Sequence, residues 1–273
     1  MRRAPCALAC AISALSACTV GPDFVDPDVN ANPQWREQSP DLRASDSAAD
    51  RAWWQSLDSP TLDSLLDTAY RNNPNLQVAG VRILQAQAQL NIAIGAQFPQ
   101  QQALTGSINY QSANTGLLDS STDFVTERIG FGATWEIDFW GKYRRGIEAD
   151  QAALFSTIAA YDDALVTLVA SVANGFVAIR TLDAQLAVFA ANAEAQREGL
   201  RLARVRFENG ETSALDVSQA TTRLAETQAQ IPGLEQQWRQ TANTLSLLLG
   251  EAPGYADPML ADTIDVPRPP PQI

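Results

Sequence analysis

Glu136 and Asp138 stand two residues apart in the stretch FGATWEIDFWGK, Phe131 to Lys142. Strand alternation would put both carboxylates on one face. A carboxylate pair is a minimal set for general acid–base chemistry, and here it would act alone. The chain has no histidine, the commonest general base and metal ligand. No phosphate-cradling loop, metal-ligand cluster or nucleophile motif accompanies the two acids. A polar face lining water explains them more simply. The reading is a protein that is not an enzyme, with no cofactor and no metal.

A sharper chemical signal lies at the N-terminus. Met1-Arg2-Arg3 is positive, and Ala4 to Ala17 is an apolar run too short to span a bilayer comfortably. Residues 1–17 read as a secretory signal. In Leu15-Ser16-Ala17-Cys18, small residues precede the cysteine where a signal peptidase needs them. Cleavage there, with lipid attached to the Cys18 thiol, is the expectation; an ordinary signal followed by a chance cysteine is the alternative. Cys6 and Cys10 leave with the signal, so the mature chain could form no internal disulfide.

The elements that position these groups follow from composition and periodicity. The chain has 273 residues, 19 basic and 31 acidic, with a net charge of −12. Nucleic-acid binding is excluded, because phosphate contacts need a concentrated basic surface. Residues 18–58 are rich in Pro, Asp, Asn and Ser and read as a tether. Trp53 and Trp54, near its end, read as packing residues. Ser59-Pro60 and Asn73-Pro74 are helix-start signals, giving helices over about 60–71 and 74–97. The second of these carries Leu76, Val81, Leu84, Ala88 and Leu90 as its apolar stripe. Strands are expected at about 101–111 and 124–139, with a polar turn between them. A helix over about 142–207 carries Leu154, Ile158, Tyr161, Leu165, Leu168, Val172, Phe176, Ile179, Leu182, Leu186 and Phe189 at a mean spacing of about 3.5, the coiled-coil period. Asn209-Gly210 ends it. A last helix covers about 213–249, with a kink expected at Pro232-Gly233. The repeat spans 59–254, and 255–273 is a Pro-rich tail. At about 1.5 Å per residue the long helix is roughly 100 Å, close to the two shorter ones laid end to end. That arithmetic puts the strand pair at one end of a helical rod and the Asn209-Gly210 turn at its other tip.

The fold class is thus mainly α with one β-hairpin. Each strand approaches or exceeds the nine to eleven residues that cross an outer membrane within a barrel. Phe131, Ala133, Trp135, Ile137 and Phe139 alternate on one face and are expected to meet lipid. Tyr110 and Trp140 are candidates for an interfacial aromatic girdle. For Trp140 and Phe139, packing at the strand–helix junction fits equally well. Lys142, Arg144 and Arg145 contact lipid head groups or begin the helix as solvated charges.

In order along the chain, CTVGPDF, WWQSLDSPTLDSLLDTAYRNNPNLQVA, WEIDFWGKYRRGIEA, RFENGETSALDVSQA and IPGLEQQWRQTANTLSLLLGEAPG resemble the TolC-like outer-membrane factors of tripartite efflux systems, in their NodT-type lipoprotein branch. The resemblance implies a helix–strand–strand–helix–helix repeat and a homotrimeric duct. It also implies a periplasmic adaptor protein and an inner-membrane RND pump as partners, and contact with outer-membrane lipid. Family protomers carry two such repeats; this sequence carries one. The implied location is the outer membrane, lipid-anchored and reaching into the periplasm. Gly210, Leu215 and Asp216 would then contact the adaptor at the periplasmic tip. Ordinary helix packing for Leu215 and a favourable helix-dipole charge for Asp216 are the plainer alternatives. A passive export duct for small molecules is the functional expectation. Its rivals are a coiled-coil lipoprotein that acts as spacer or adaptor without a pore, and an inactive half-length fragment.

Overall fold

The computed structural model describes residues 20–25, 27, 50–114, 121–261 and 266–267. Cys18, the signal, and most of the expected tether and tail lie outside the described residues.

A 3-10 helix, Asp50–Leu57, leads into helix α1, Pro60–Asn72, and helix α2, Pro74–Gly95. Both α-helices begin with a polar cap followed by proline. Ser59 Oγ accepts the amide of Leu62 at 3.3 Å, and Asn73 Oδ1 accepts that of Leu76 at 2.9 Å. Each cap satisfies an amide that the first turn cannot pair, while proline removes another such amide. Strands β1, Gln101–Asn114, and β2, Ser121–Thr134, form an antiparallel pair running in register from Gln101↔Thr134 to Asn114↔Ser121. Helix α3, Lys142–Glu208, has 67 residues. Helix α4, Ala214–Leu248, and the short helix α5, Asp257–Leu260, follow.

Contacts divide the chain into two compact units, with α2 and α3 contributing to both. One contains the hairpin and residues 80–160. The other contains residues 50–79 and 161 onward, and holds the core. There Leu62, Leu65 and Ala69 of α1 meet Leu168, Val172, Phe176 and Ile179 of α3, and Leu245 and Leu249 at the end of α4. At Gly175 the helices α3 and α4 come so close that a β-carbon would lie 2.7 Å from Leu245 Cδ2. Arg180 is 1% exposed within this unit. Its guanidinium donates to the Leu260 carbonyl at 2.8 Å, pairs with Asp183 at 3.3 Å, and lies over the Phe176 ring. Asp183 in turn accepts from the Trp238 indole at 2.8 Å. This network ties α5 to α3 and α3 to α4, and it covers a charge that would be costly to bury unpaired.

The long stripe on α3 is buried or half-buried throughout, apart from Ile158 at 38% exposed. Among the described residues α3 is the one helix long and apolar enough to cross a membrane. Its length is more than three times the roughly 20 residues a span needs, and its central stripe is committed to the core. Two expectations are corrected, the covered face of α2 and the end of the second strand. Helix α2 buries Leu76 and Leu90 and half-buries Ile83 and Ala86, whereas Ala88 is exposed and Val81 and Leu84 are 63% and 69% exposed. This helix is apolar on more than one side, so spacing alone did not choose the covered face. Helix α4 passes through Pro232 as one element, although Pro232 offers no N–H to the Gln228 carbonyl. Strand β2 stops at Thr134, five residues short of the expected end; the reason lies at the base of the hairpin.

Candidate functional site

The register of the hairpin sorts its side chains into two unlike faces. Leu104, Gly106, Ile108 and Tyr110 of β1 share a face with Val125, Glu127, Ile129, Phe131 and Ala133 of β2. Gln101, Ala103, Thr105, Ser107, Asn109 and Gln111 share the other with Phe124, Thr126, Arg128, Gly130, Gly132 and Thr134. One face is mainly apolar and carries two carboxylates, Glu127 and, at its end, Asp123, while the other is mainly small and polar with Phe124 at its end. The apolar side chains are uncovered: Leu104, Ile108, Ile129 and Phe131 are each more than 70% exposed. Such an array is unfavourable in water, at about 25 cal/mol per Å² of apolar surface, and favourable in hydrocarbon. Tyr110 sits near the end of the apolar band, where its hydroxyl donates to the Asp123 carboxylate, which also accepts from Ser112.

The base of the hairpin explains the early end of β2. Continuing the register would pair Trp135 with Gln100 and Glu136 with Pro99, but the chain before Gln101 is still closing the end of α2. The amides of Ala96, Gln97 and Phe98 bond back to Ile92, Ile94 and Gly95, and Pro99 has no amide to give. The Gln100 side chain takes the place of the missing strand. Its Oε1 accepts the Glu136 amide at 2.8 Å, and its Nε2 donates to the Glu136 carbonyl at 3.3 Å. Trp135, Ile137 and Phe139 therefore lie in the connection between β2 and α3, not on the strand. The Trp135 indole donates to the Gln97 carbonyl at 3.0 Å. Phe131 and Ala133 are on β2 and on its apolar face. Nothing in the sequence pattern flags Gln100, because a side chain that imitates a backbone leaves no periodic trace.

The carboxylates of the opening stretch do not pair with each other. Glu136 accepts from the Tyr143 hydroxyl at 2.7 Å and lies 3.6 Å from Lys142 Nζ. That hydrogen bond, with partial burial, raises the Tyr143 hydroxyl above its ordinary pKa. Asp138 accepts the Arg144 amide at 3.0 Å. Partial burial pushes the Asp138 carboxyl up, but the amides of Arg144, Tyr143 and Lys142 and the Arg144 guanidinium hold it below its ordinary value. Both acids anchor the first turn of α3, where amides lack helical partners and the dipole favours negative charge. Gly141, at φ +77°, makes the turn into the helix.

The same junction holds the N-terminal segment. The Val20 amide donates to the Trp140 carbonyl at 3.2 Å. Arg145 pairs with Asp23 and with Glu148, each at 2.7 Å, and reaches the Gly21 carbonyl at 3.4 Å. Arg145 is thus paired rather than simply solvated, and it clamps residues 20–25. Trp140 is 70% exposed beside it.

The turn between α3 and α4 is closed at both ends. Gly210, at φ +77°, donates to the Phe207 carbonyl, and Glu211 donates to that of Arg206. This double bond pattern is the Schellman motif, which requires a left-handed residue. Ser213 and Asp216 form a reciprocal capping box. Asp216 also accepts from the Thr212 hydroxyl. The Thr212 hydroxyl, then the Ser213 amide and hydroxyl, hold the Asp216 carboxyl below its ordinary value. A depressed folded pKa contributes stability above the unfolded value of about 3.9 and loses it as pH falls through the folded one. Amide exchange in the first turn of α4, corrected for intrinsic rates, is therefore expected to hold steady above about pH 5 and to lose protection below about pH 4. Asp216→Asn should abolish that step, and Ser213→Ala should weaken the turn by about 1 kcal/mol at all pH values. A step that survives in Asp216→Asn would reject this assignment. Leu215, beside the cap, is 63% exposed.

Among the described residues no group of acidic or cysteine side chains could hold a metal ion. An open groove lined by Trp53, Trp54, Asp63, Tyr70, Asp162 and Val166 sets no nucleophile against a base. The two tryptophans meet edge to face with centroids 6.4 Å apart.

A two-faced hairpin leading into a long helix of coiled-coil spacing is an arrangement that the chain shares with outer-membrane efflux proteins. Residues 65–251 match the family model described as outer membrane efflux protein. The chain belongs to that family. It is 32% identical over 249 residues to the pyoverdine export outer membrane protein OpmQ of Pseudomonas aeruginosa, a match covering 87% of this chain and 51% of that protein. To nodulation protein T of Rhizobium leguminosarum bv. trifolii it is 29% identical, covering 88% of this chain and 50% of that one. The fold superposes on the solved outer-membrane channel OprN with a TM-score of 0.78 at 26% identity, over 92% of this chain and 56% of that one. The chain spans about half the length of the relatives it matches.

Proposed function

We propose that the chain is a subunit of an outer-membrane duct that exports small molecules passively, as part of an RND-type tripartite efflux system. The observation that carries this reading is the segregation of the hairpin into an uncovered apolar face and a polar face. In a barrel the first meets lipid and the second lines water. A spacer or adaptor would have no use for such a surface. Phe131 and Ala133 then contact lipid from the strand, and Trp135, Ile137, Phe139, Trp140 and Tyr110 lie near the interfaces. A lipid on Cys18 would hold the segment that Arg145 clamps beside the hairpin's base, so anchor and barrel would share one membrane. The exposed apolar residues Val81, Leu84 and Ile92 of α2 suit neighbouring helices of a homo-oligomer, a trimer by family. The turn around Gly210, with exposed Leu215 and the Asp216 cap, would meet the periplasmic adaptor.

The test is conductance. The purified, lipidated chain is reconstituted into planar bilayers, with its oligomer mass read by light scattering on the same sample. Stepwise ion conductance is expected. A lipidated oligomer that never conducts would overturn the duct and favour the spacer.

A further inference from the structure

We propose that Arg128 biases the lumen of the duct towards anionic solutes. This deepens the duct reading and rests on it. The hairpin strands carry three charged residues, Asp123, Glu127 and Arg128. The register puts both acids on the apolar face and the arginine alone on the polar one. Arg128 is opposite Ser107 and is bordered on its face by Thr105, Asn109, Thr126 and Gly130. All of these are neutral and none is large. No carboxylate shares that face among the described residues, so the charge is not neutralised locally. The guanidinium is charged at every physiological pH. Gly130 and Gly132, next along the same face, carry no side chain that would fence it off. Closure of the barrel repeats Arg128 once per subunit at a single height. Rings of arginine or lysine are how anion-conducting pores obtain their preference, and lumen-facing side chains tune selectivity without altering lipid contact. The solute class favoured is therefore anionic, carboxylates and phosphates among them, over cations of the same size.

The experiment uses the full lipidated chain with Thr126→Cys, one step from Arg128 on the same face, and Ile129→Cys on the apolar face. Rates of modification by membrane-impermeant anionic and cationic thiosulfonates are each normalised to a free thiol, with the unsubstituted chain as blank. With Arg128 present, the anionic reagent should be favoured at Thr126→Cys by about three- to sevenfold, the effect of a unit charge about 7 Å away with and without screening. Arg128→Lys should keep the preference, Arg128→Gln should bring it near one, and Arg128→Glu should invert it. A ratio that ignores all three substitutions overturns the proposal and leaves the duct standing. An unreactive Thr126→Cys beside a reactive Ile129→Cys overturns the duct reading itself.

Discussion

Replacing Gly250 by alanine is expected to destabilise the helical core unit by about 2–4 kcal/mol, the sum of a left-handed backbone penalty of roughly 1–2 kcal/mol and a comparable steric one. Gly250 has φ +73° and ends α4 with the same double bond pattern as Gly210, donating to Leu247 while Glu251 donates to Ser246. A β-carbon there would fall 2.4 Å from the Asn72 carbonyl oxygen and 2.9 Å from its carbon. Those atoms are backbone, so they cannot rotate aside. The clash strikes where α1 hands over to α2: the neighbouring Asn73 donates to the Leu248 carbonyl at 2.9 Å and caps α2 with its other side-chain atom. Two further glycines separate strain from contact. At Gly210, φ is +77° but a β-carbon would meet nothing, so alanine should cost only the backbone share, about 1–2 kcal/mol. Gly199 lies within α3, and a β-carbon there meets nothing; alanine should stabilise by about 0.5–1 kcal/mol. Denaturant midpoints of the three variants, at unchanged slope, measure the order. If Gly250→Ala costs no more than Gly210→Ala, the Asn72 contact is not rigid.

The features legible in the sequence are those written in local chemistry. Ser59-Pro60, Asn73-Pro74 and Asn209-Gly210 each work within one turn, so residue type and order suffice to find them. The α3 stripe is legible because its period is set by its own helix. The covered face of α2 was not, because apolar residues lie on several sides and the choice depends on what packs against it. Strand alternation ran past Thr134 on paper for the same reason: a strand ends where its partner ends, and the partner's start is set by the closing turn of α2 and by Pro99. Asp23 and Arg145, 122 residues apart, and the ladder-mimicking Gln100 are long-range contacts of ordinary polar side chains. Neither leaves a mark on periodicity or composition.

Lysine at Ile129 should prevent stable membrane assembly, while lysine at Thr126 should be tolerated. The two positions are three residues apart on β2 and face opposite ways. Ile129 is 86% exposed on the apolar face, and a cation near the middle of a lipid-facing strand costs about 2–4 kcal/mol per copy. An oligomer multiplies that penalty by the number of its subunits, which would exceed the margin of an ordinary fold. Thr126 shares its face with Arg128, so another cation there remains in water and should cost close to nothing. Glu127 sharpens the comparison. It is the more central of the two carboxylates on the apolar face, opposite Ile108 and two residues from Val125, which pairs with Tyr110. Acidic residues are penalised less than basic ones on lipid-facing strands, and less again towards an interface. Its place near the Tyr110 end of the band is therefore tolerable where the more central Ile129 would not be. The measurement is the share of each variant recovered as oligomer in outer-membrane fractions, with folding into detergent micelles as the control for the helical unit. Near-complete loss for Ile129→Lys and near-normal recovery for Thr126→Lys are expected. Equal recovery would mean that the apolar face does not meet lipid, and the exposed leucine, isoleucine and phenylalanine side chains of the hairpin would then need a protein surface to cover them.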